Sequence, residues 1–288
     1  MENKLLKYSE AFNLVQRGLA TMKNDGKYTT FKYARKAMYE YLWYEVPELM
    51  ECRGVVFCNT THELVQAAPR KSFNYLERGW WANASRTTQV EMYKKINGYM
   101  ACATIHNGEL VVSTTGTTTS DYAKWARELI EKDWKLYDMV IDCEATTLFE
   151  VVVPQDPHIV EERQGLHLLG WREKESGQFH PNGRPIVCDL ESALQIAEAD
   201  EGEGFIVYPV GVHNTCCKIK TPYYIGKKKL MRMTAKNVEL MYTQTRTIEN
   251  QLPDLWKFAP QMIMENYSKL NWSNLTDQER RTFLEYIE

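Results

Sequence analysis

The chain has 288 residues, of which 44% are hydrophobic and 25% are charged, and its formal net charge is −3. This composition is that of an ordinary globular protein, so it excludes a disordered chain, and the slight negative charge argues against indiscriminate coating of nucleic acid. No apolar run approaches the roughly 18 to 20 residues of a membrane helix, and the N-terminus lacks the apolar core of a signal peptide. We therefore expect a cytoplasmic protein that has no membrane partner.

The cysteines indicate neither a disulfide framework nor a zinc site. There are seven of them, an odd number, and no Cys-x-x-Cys pair occurs. This usage suits a reducing compartment. The length allows one large domain, or a main domain with a small appendage.

In chain order, the first predicted element is a helix over residues 9–22, with Ser9 as its N-cap. The aromatic-rich segment 28–43 is ambiguous between helix and strand. Strands follow where short apolar or alternating runs are bounded by turn residues. They are predicted at RGVVFC (53–58), ELVQAAP (63–69), VEMYKKI (90–96), YMACATI (99–105) and ELVVSTT (109–115).

Two Asn-Gly pairs predict tight hairpin turns in this part of the chain. Asn97-Gly98 and Asn107-Gly108 separate the last three of these strands. We therefore expect the three strands to form an antiparallel meander, with both Asn-Gly pairs at its turns.

The second half of the sequence alternates helices and strands. Ser120 is expected to cap a helix over residues 121–131, and Asp189 a helix over residues 190–199. Further strands are predicted at TTLFEVVVP (146–154), GLHLLGWRE (165–173), GFIVYPV (204–210) and NTCCKIK (214–220).

The C-terminal part reads as helical. Pro222 stands at a favourable first helical position, Pro253 and Pro260 are expected to break the helical region, and Thr276 with Glu279 forms a capping box. The sequence therefore predicts an α+β fold with an antiparallel sheet over residues 1–235. A small helical domain is expected over residues 236–288.

Five charged residues lie within or at the ends of apolar strands, where burial of a charge is unfavourable unless the charge has a partner. They are Lys95, Glu150, Glu203, Lys218 and Lys220. Several lysines beside two carboxylates suit the binding of a triphosphate with its magnesium. Each residue also has a purely structural interpretation: the carboxylates can pair with arginines or end loops, and the last two lysines can protect an edge strand.

The charge distribution is uneven around the last of these residues. No acidic residue occurs from 204 to 238, whereas seven lysines and arginines do. Such a run is either a solvated face or a positive field that attracts phosphates.

The segment Lys95-Ile96-Asn97-Gly98 admits a specific chemistry. An ordinary lysine amine, with a pKa of about 10.4, is protonated at neutral pH and cannot attack a phosphate. Neighbouring cations and partial desolvation lower such a pKa, and Mg²⁺ held by carboxylates neutralises the phosphate. Lys95 is then either a nucleophile that forms a covalent phosphoramidate or a solvated turn residue.

The order of these motifs resembles the covalent nucleotidyltransferases, and within them the RNA ligase 1 group of T4-like bacteriophages. The resemblance covers residues 30–230 and implies an antiparallel-sheet nucleotidyltransferase domain, an ATP-grasp-like ligase adenylation fold. It rests on the segments ECRGVVF, APRKSFNYLE, KINGY, TTLFEVVVPQDPHIV with LHLLGWRE, EGEGFIVY and CKIKTPYY.

The resemblance implies a role for each matching residue. Lys95 is the nucleophile that takes AMP from ATP, while Glu150 and Glu203 serve the ribose and the metal ion. Lys218 and Lys220 contact the α-phosphate and help to activate the nucleophile. Further nucleotide contacts are implied for Arg53, Lys71, Asn97 and Gly98, and for Leu169 and Trp171 at the adenine pocket.

Two positions in these motifs depart from the family pattern. Asn97 stands where the family usually has Asp, so its side chain cannot carry a charge, although Asn-Gly still suits a turn. His158 stands where arginine is common.

The activity that the resemblance implies is that of an ATP-dependent RNA ligase using Mg²⁺, or Mn²⁺ in its place. Such an enzyme joins RNA 5′-phosphate and 3′-hydroxyl ends through lysyl-AMP and an adenylylated RNA end, in RNA or tRNA repair. We expect a monomer in the cytoplasm, the host's if a phage encodes it, with a separate end-healing kinase or phosphatase as a partner.

Two alternatives remain at this point. One is a nucleotide- or RNA-binding member of the same fold without catalysis. The other is a DNA ligase or capping enzyme, although these continue into an oligonucleotide-binding barrel where this sequence predicts helices.

Overall fold

The computed structural model describes residues 5–133, 135, 138 and 144–288, and within them three β-sheets combine with helices. The strands are β1 (Ala20–Asn24), β2 (Tyr28–Tyr33), β3 (Arg53–Cys58), β4 (Leu64–Gln66), β5 (Phe73–Asn74), β6 (Gln89–Lys94), β7 (Tyr99–His106), β8 (Glu109–Ser113), β9 (Ala145–Val152), β10 (Gly165–Glu173), β11 (Phe179–Pro181), β12 (Ile186–Asp189), β13 (Gly204–Pro209) and β14 (Cys217–Lys220).

The first sheet has the strand order β1-β2-β3-β4, the second β11-β10-β9-β7-β8, and the third β12-β6-β13-β14-β5. Each of these strand pairs is antiparallel except β14 with β5. The predicted α+β fold with antiparallel sheets is confirmed.

The α-helices are α1 (Tyr8–Gln16), α2 (Arg35–Tyr39), α3 (Asp121–Lys132), α4 (Leu190–Ala199), α5 (Pro222–Met231), α6 (Ala235–Thr243), α7 (Thr245–Glu249), α8 (Ala259–Asn266), α9 (Lys269–Asn274) and α10 (Asp277–Ile287). Short 3-10 turns occupy Pro47–Met50, Glu77–Gly79 and Asp254–Trp256. Among the described helices, none is long and apolar enough to cross a membrane.

The predicted helix starts are largely confirmed. The side chains of Ser120, Asp189 and Thr221 each accept a hydrogen bond from a backbone N–H in the first turn of α3, α4 and α5. The capping box of Thr276 and Glu279 begins α10. Local capping chemistry therefore fixes where these helices begin.

Two predictions at helix boundaries are wrong. The first helix begins at Tyr8 and ends at Gln16, because Gly18 turns the chain with a φ of +69° and residues 20–24 pair with β2 instead. Pro260 does not break a helix but lies in the first turn of α8. The ambiguous segment 28–43 contains both β2 and α2.

The predicted meander is also wrong at its first turn. Asn107-Gly108 joins β7 to β8 as a hairpin, with φ values of 52° and 77°. Asn97-Gly98 instead carries the chain from β6 in the third sheet to β7 in the second. A Cβ at Gly98 would lie 2.5 Å from the Val151 carbonyl oxygen, so this glycine permits close packing rather than a tight turn.

A separate hydrophobic core lies among the C-terminal helices. It is built from buried side chains of α5 to α10, and one residue from elsewhere in the chain, Ile159, belongs to it. The core includes Leu230, Met231, Trp256 and Ile263, each at most 1% exposed. The division into domains at residue 235 stays a prediction.

Candidate active site

The backbone register of the third sheet places Lys95 beside Glu203. Lys95 directly follows β6, and its N–H donates to the Gly204 carbonyl at 2.8 Å. The side chain of Glu203, next to Gly204, therefore meets that of Lys95, with Lys95 Nζ 2.8 Å from Glu203 Oε2. Glu203 is only 4% exposed, so this ion pair lies at the edge of the protein interior.

Glu150 approaches Lys95 from the second sheet. It lies in β9, opposite Met100 of β7, and is 7% exposed. The Gly98 N–H donates to Glu150 Oε1 at 3.1 Å, and Lys95 Nζ lies 3.9 Å from the same oxygen. The chain passes from the third sheet to the second at Asn97-Gly98. This passage brings a carboxylate from each of the two sheets close to the Lys95 ammonium group.

Asn97 is buried, and both ends of its amide are used. Its Nδ2 donates to Glu203 Oε2 at 2.8 Å, and its Oδ1 accepts from the Val160 N–H at 2.9 Å. An aspartate could not donate the first of these hydrogen bonds. The departure from the family pattern therefore has a structural use in this chain.

Lys218 and Lys220 alternate along β14 with the buried residues Cys217 and Ile219. Lys220 Nζ lies 3.4 Å from Glu203 Oε1. Burial, together with repulsion from nearby cations, first Lys71, lowers the pKa of Lys218 to about 7. A buried lysine surrounded by other cations is suited to bind an anion, because the anion offsets the repulsion.

Lys71 and Arg53 complete a cluster of cations around Lys218. Burial also lowers the pKa of Lys71, whose Nζ donates to the Ser72 carbonyl and lies 4.4 Å from the centre of the Phe73 ring. Arg53 Nη1 donates to the Pro69 carbonyl at 3.4 Å. These positive groups outnumber the two carboxylates beside them.

The two carboxylates differ in their titration. Burial raises the pKa of Glu150, and the pull of Lys95 only partly offsets this effect. For Glu203 burial acts in the same direction, but Lys95, Lys220 and the Asn97 amide outweigh it, so the pKa falls. Glu203 is therefore the more firmly ionised of the pair.

A cavity of about 830 Å³ opens beside Lys95 and is lined by all three sheets. Arg53, Gly98, Glu150, Leu169 and Lys218 face it, together with apolar side chains from β7, β10 and β13. A volume of this order is ordinary for a small-molecule site. The structure thus brings most of the predicted residues to one cavity edge.

Trp171 is not among the residues that line this cavity. A bulge between Leu168 and Gly170 removes Leu169 from the ladder of β10 with β9, and Leu169 lines the cavity. Trp171, two residues later, is 41% exposed and stacks on His180 with ring centres 5.2 Å apart. The bulge breaks the alternation that would otherwise give the two residues one face.

Sequence reasoning missed Tyr224 in the segment CKIKTPYY. The centre of its ring lies 4.5 Å from Lys220 Nζ, and the residue, with its hydroxyl, is buried. Burial raises the pKa of this hydroxyl, so it stays protonated. Tyr224 follows Lys220 by four residues, just after the start of α5, and this spacing was the signal that could have placed it near the site.

Comparison with solved structures decides the fold. Two structures of an archaeal ATP-dependent RNA ligase match 95% of this chain and 75% of theirs, with TM-scores of 0.55 and 0.54 at 13% and 15% identity. The chain shares the fold of these archaeal ligase structures. An Aquifex aeolicus protein assigned as an ATP-dependent DNA ligase shares this fold, with a TM-score of 0.52, 13% identity, and coverage of 94% of this chain and 75% of that one.

Sequence comparison finds a viral relative. A protein of Autographa californica nuclear polyhedrosis virus, assigned as a bifunctional polynucleotide kinase/RNA ligase, is 22% identical over 218 residues. The alignment covers 64% of this chain and 31% of the viral protein, so the chain spans about a third of that relative. No protein-family model matches the chain.

Proposed function

We propose that this protein is an ATP-dependent RNA ligase that works through a lysyl-AMP intermediate. The observation that carries the proposal is the position of Lys95 Nζ, 2.8 Å from Glu203 and 3.9 Å from Glu150, at a cavity that Arg53 and Lys218 line. A nucleophilic amine, carboxylates and phosphate-binding cations are the parts that nucleotidyl transfer requires. The ligase fold supports the same conclusion.

In the first step, the Lys95 ammonium group gives up a proton to solvent, and the resulting amine attacks the α-phosphorus of ATP. A P–N bond forms and the nitrogen loses a second proton to solvent, while the bond from that phosphorus to the bridging oxygen breaks and pyrophosphate leaves with the electron pair. Lys218, Lys220 and Arg53 supply positive charge near the cavity edge, where it stabilises the charge that develops on the phosphate oxygens.

In the second step, an oxygen of an RNA 5′-phosphate attacks the phosphorus of the lysyl-AMP. The P–N bond breaks, and the Lys95 amine regains a proton. In the third step, an RNA 3′-hydroxyl loses its proton to solvent and attacks the activated 5′-phosphorus, AMP leaves with the electron pair of the broken P–O bond, and a phosphodiester bond joins the two ends. The same amine is thus nucleophile and then leaving group.

The carboxylates of Glu150 and Glu203 fit a divalent cation in their chemistry, since Mg²⁺ and Mn²⁺ prefer oxygen donors. Among the described residues, no group of three or more His, Cys, Asp or Glu side chains is arranged to hold a metal. These two carboxylates would therefore hold the cation together with water and the triphosphate. When bound, the cation supplies positive charge to the phosphate under attack.

Two observations favour RNA over DNA or cap chemistry. The two archaeal structures carry the name RNA ligase, and the viral relative's name joins RNA ligase to polynucleotide kinase. After β14, the described chain to residue 288 forms helices and 3-10 turns, not the strands of an oligonucleotide-binding barrel. A separate kinase or phosphatase that prepares RNA ends fits the same proposal, as does action by a monomer.

The experiment is incubation with ATP labelled at the α-phosphorus, in Mg²⁺ or Mn²⁺, for wild type, Lys95→Ala and Lys94→Ala. Lys94 is the matched control, because its exposed side chain also lines the cavity but lies 3.9 Å from Asp200 and is not part of the Lys95 pairings. We expect label on wild type and Lys94→Ala but not on Lys95→Ala, and transfer of the label to 5′-phosphorylated RNA. Absence of label on wild type favours a binding protein, and label from GTP alone favours a capping enzyme.

A further inference from the structure

The segment 156–162, here called the strap, follows β9 and lies between two regions of the molecule. On one side it contacts the C-terminal helices, and on the other it contacts Asn97 beside the candidate nucleophile. Both sets of contacts are made within a few residues. The strap is therefore a short physical link between the helices and the site.

The link to the helices has two parts. Ile159 is 1% exposed and belongs to the hydrophobic core of α5 to α10. The adjacent His158 carbonyl accepts a hydrogen bond from Arg281 Nη1 of α10 at 3.2 Å. A buried aliphatic side chain in a close-packed core holds its backbone firmly.

The link to the nucleophile segment begins one residue later. The Val160 N–H donates to Asn97 Oδ1 at 2.9 Å, and Glu162 Oε1 accepts from the Asn97 N–H at 3.2 Å. Asn97 in turn donates to Glu203, the ion-pair partner of Lys95. A displacement of the strap would therefore remove the hydrogen bonds that fix Asn97, and a buried amide without partners is costly.

We propose that Ile159 and Arg281 are positioning residues for nucleotidyl transfer, acting on Lys95 and Glu203 through the strap and Asn97. The proposal rests on the proposed function and deepens it. It assigns to the C-terminal helices a role in the chemical step on Lys95, in addition to any contact with RNA. Neither residue lines the cavity or is among the residues around Lys95.

The test compares Ile159→Ala with Ile263→Ala. Both isoleucines are buried in the same core, at 1% and 0% exposure, and both truncations remove the same side-chain atoms. Only Ile159 is in the strap. We expect the rate of AMP transfer to Lys95 at saturating ATP to fall about tenfold in Ile159→Ala, since small displacements of reacting groups are costly. The KM for ATP should stay within about twofold, and Ile263→Ala should leave both values near wild type.

A second measurement does not depend on activity. Reductive methylation of Lys95, followed by mass spectrometry, reports how often its pairing with Glu203 opens. We expect faster methylation of Lys95 in Ile159→Ala and Arg281→Ala than in wild type or Ile263→Ala, with Ile159→Val restored to near the wild-type rate. If neither wild type nor any variant takes up AMP but these methylation rates differ as expected, the proposed function is wrong. The coupling of Ile159 and Arg281 to Lys95 through the strap is then still supported.

Equal effects of Ile159→Ala and Ile263→Ala would mean that general loss of core packing is responsible, and this would overturn the proposal. Unchanged AMP transfer and unchanged methylation in Ile159→Ala, in a folded protein, would overturn it as well. Circular dichroism and the midpoint of thermal unfolding confirm that both variants are folded at the assay temperature.

Discussion

Lys95 Nζ lies 2.8 Å from Glu203 Oε2, and the backbones of Lys95 and Gly204 are joined by a hydrogen bond of the same length. The pair is thus fixed by the register of two neighbouring strands, β6 and β13, rather than by flexible loops. A site built on paired strands keeps its geometry better than one built on loops.

Glu203→Gln should slow AMP transfer to Lys95 by about 100-fold or more. The substitution keeps the shape of the side chain but removes the negative charge that faces Lys95 and Lys220, and it leaves two ammonium groups without their common partner. The measurement is single-turnover labelling with α-labelled ATP. Glu201→Gln, two residues away and exposed, is the control and should label normally. Wild-type labelling of Glu203→Gln would remove this carboxylate from the mechanism.

Gly98→Ala should reduce AMP transfer at least about tenfold. The new Cβ would lie 2.5 Å from the Val151 carbonyl oxygen and 3.0 Å from Glu150 Cγ, so the Glu150 side chain or β9 must shift. Gly116→Ala is the matched control, because no heavy atom lies within 4 Å of the position of its Cβ. Activity assays and thermal unfolding of both variants separate the local effect from general damage, and equal activities would count against close packing at Gly98.

The stability of the protein should depend on Lys218 in a defined pH window. Burial lowers its pKa from 10.5 to about 7, so between these pH values the unfolded chain binds the proton and the folded chain does not. Stability from this group therefore increases as pH rises above 7. We expect the free energy of unfolding of wild type, relative to Lys218→Met, to increase from pH 7 to pH 9 in urea titrations. Lys236→Met, at an exposed lysine, should run parallel to wild type.

Leu169→Ala and Trp171→Ala should separate the two residues predicted for the adenine pocket. Leu169 lines the cavity, whereas Trp171 stacks on His180 and is not in the lining. Truncation of an apolar pocket side chain costs about tenfold in binding, so Leu169→Ala should raise the KM for ATP by about that factor. Trp171→Ala should leave this KM within about twofold. The reverse order of effects would place the base against the other face of β10.

Local sequence signals predicted much of this fold. The caps at Ser120 and Asp189, the helix start at Pro222 and the Asn107-Gly108 hairpin each depend on residues within one turn of chain, and all are observed. Asn97-Gly98 carries the same local signal but makes no hairpin, because β6 pairs with a strand more than a hundred residues later. Pairing between distant strands cannot be read from a turn motif.

The candidate site shows the same division. Charges inside apolar strands pointed to Glu150, Lys218 and Lys220, since a buried charge needs a partner. The exclusion of Trp171 from the cavity depends on a bulge at Leu169, which strand periodicity does not reveal. The strap was missed because its role comes from contacts with helices far along the chain.

The cavity beside Lys95 has walls from all three sheets: Arg53 comes from the first, Glu150 from the second and Lys218 from the third. A molecule bound there would contact residues from three separate sheets at once. Binding of a nucleotide in the cavity is thereby coupled to the rigidity of all three sheets. A tightly bound nucleotide should therefore protect distant strands from proteolysis as well as the residues it touches.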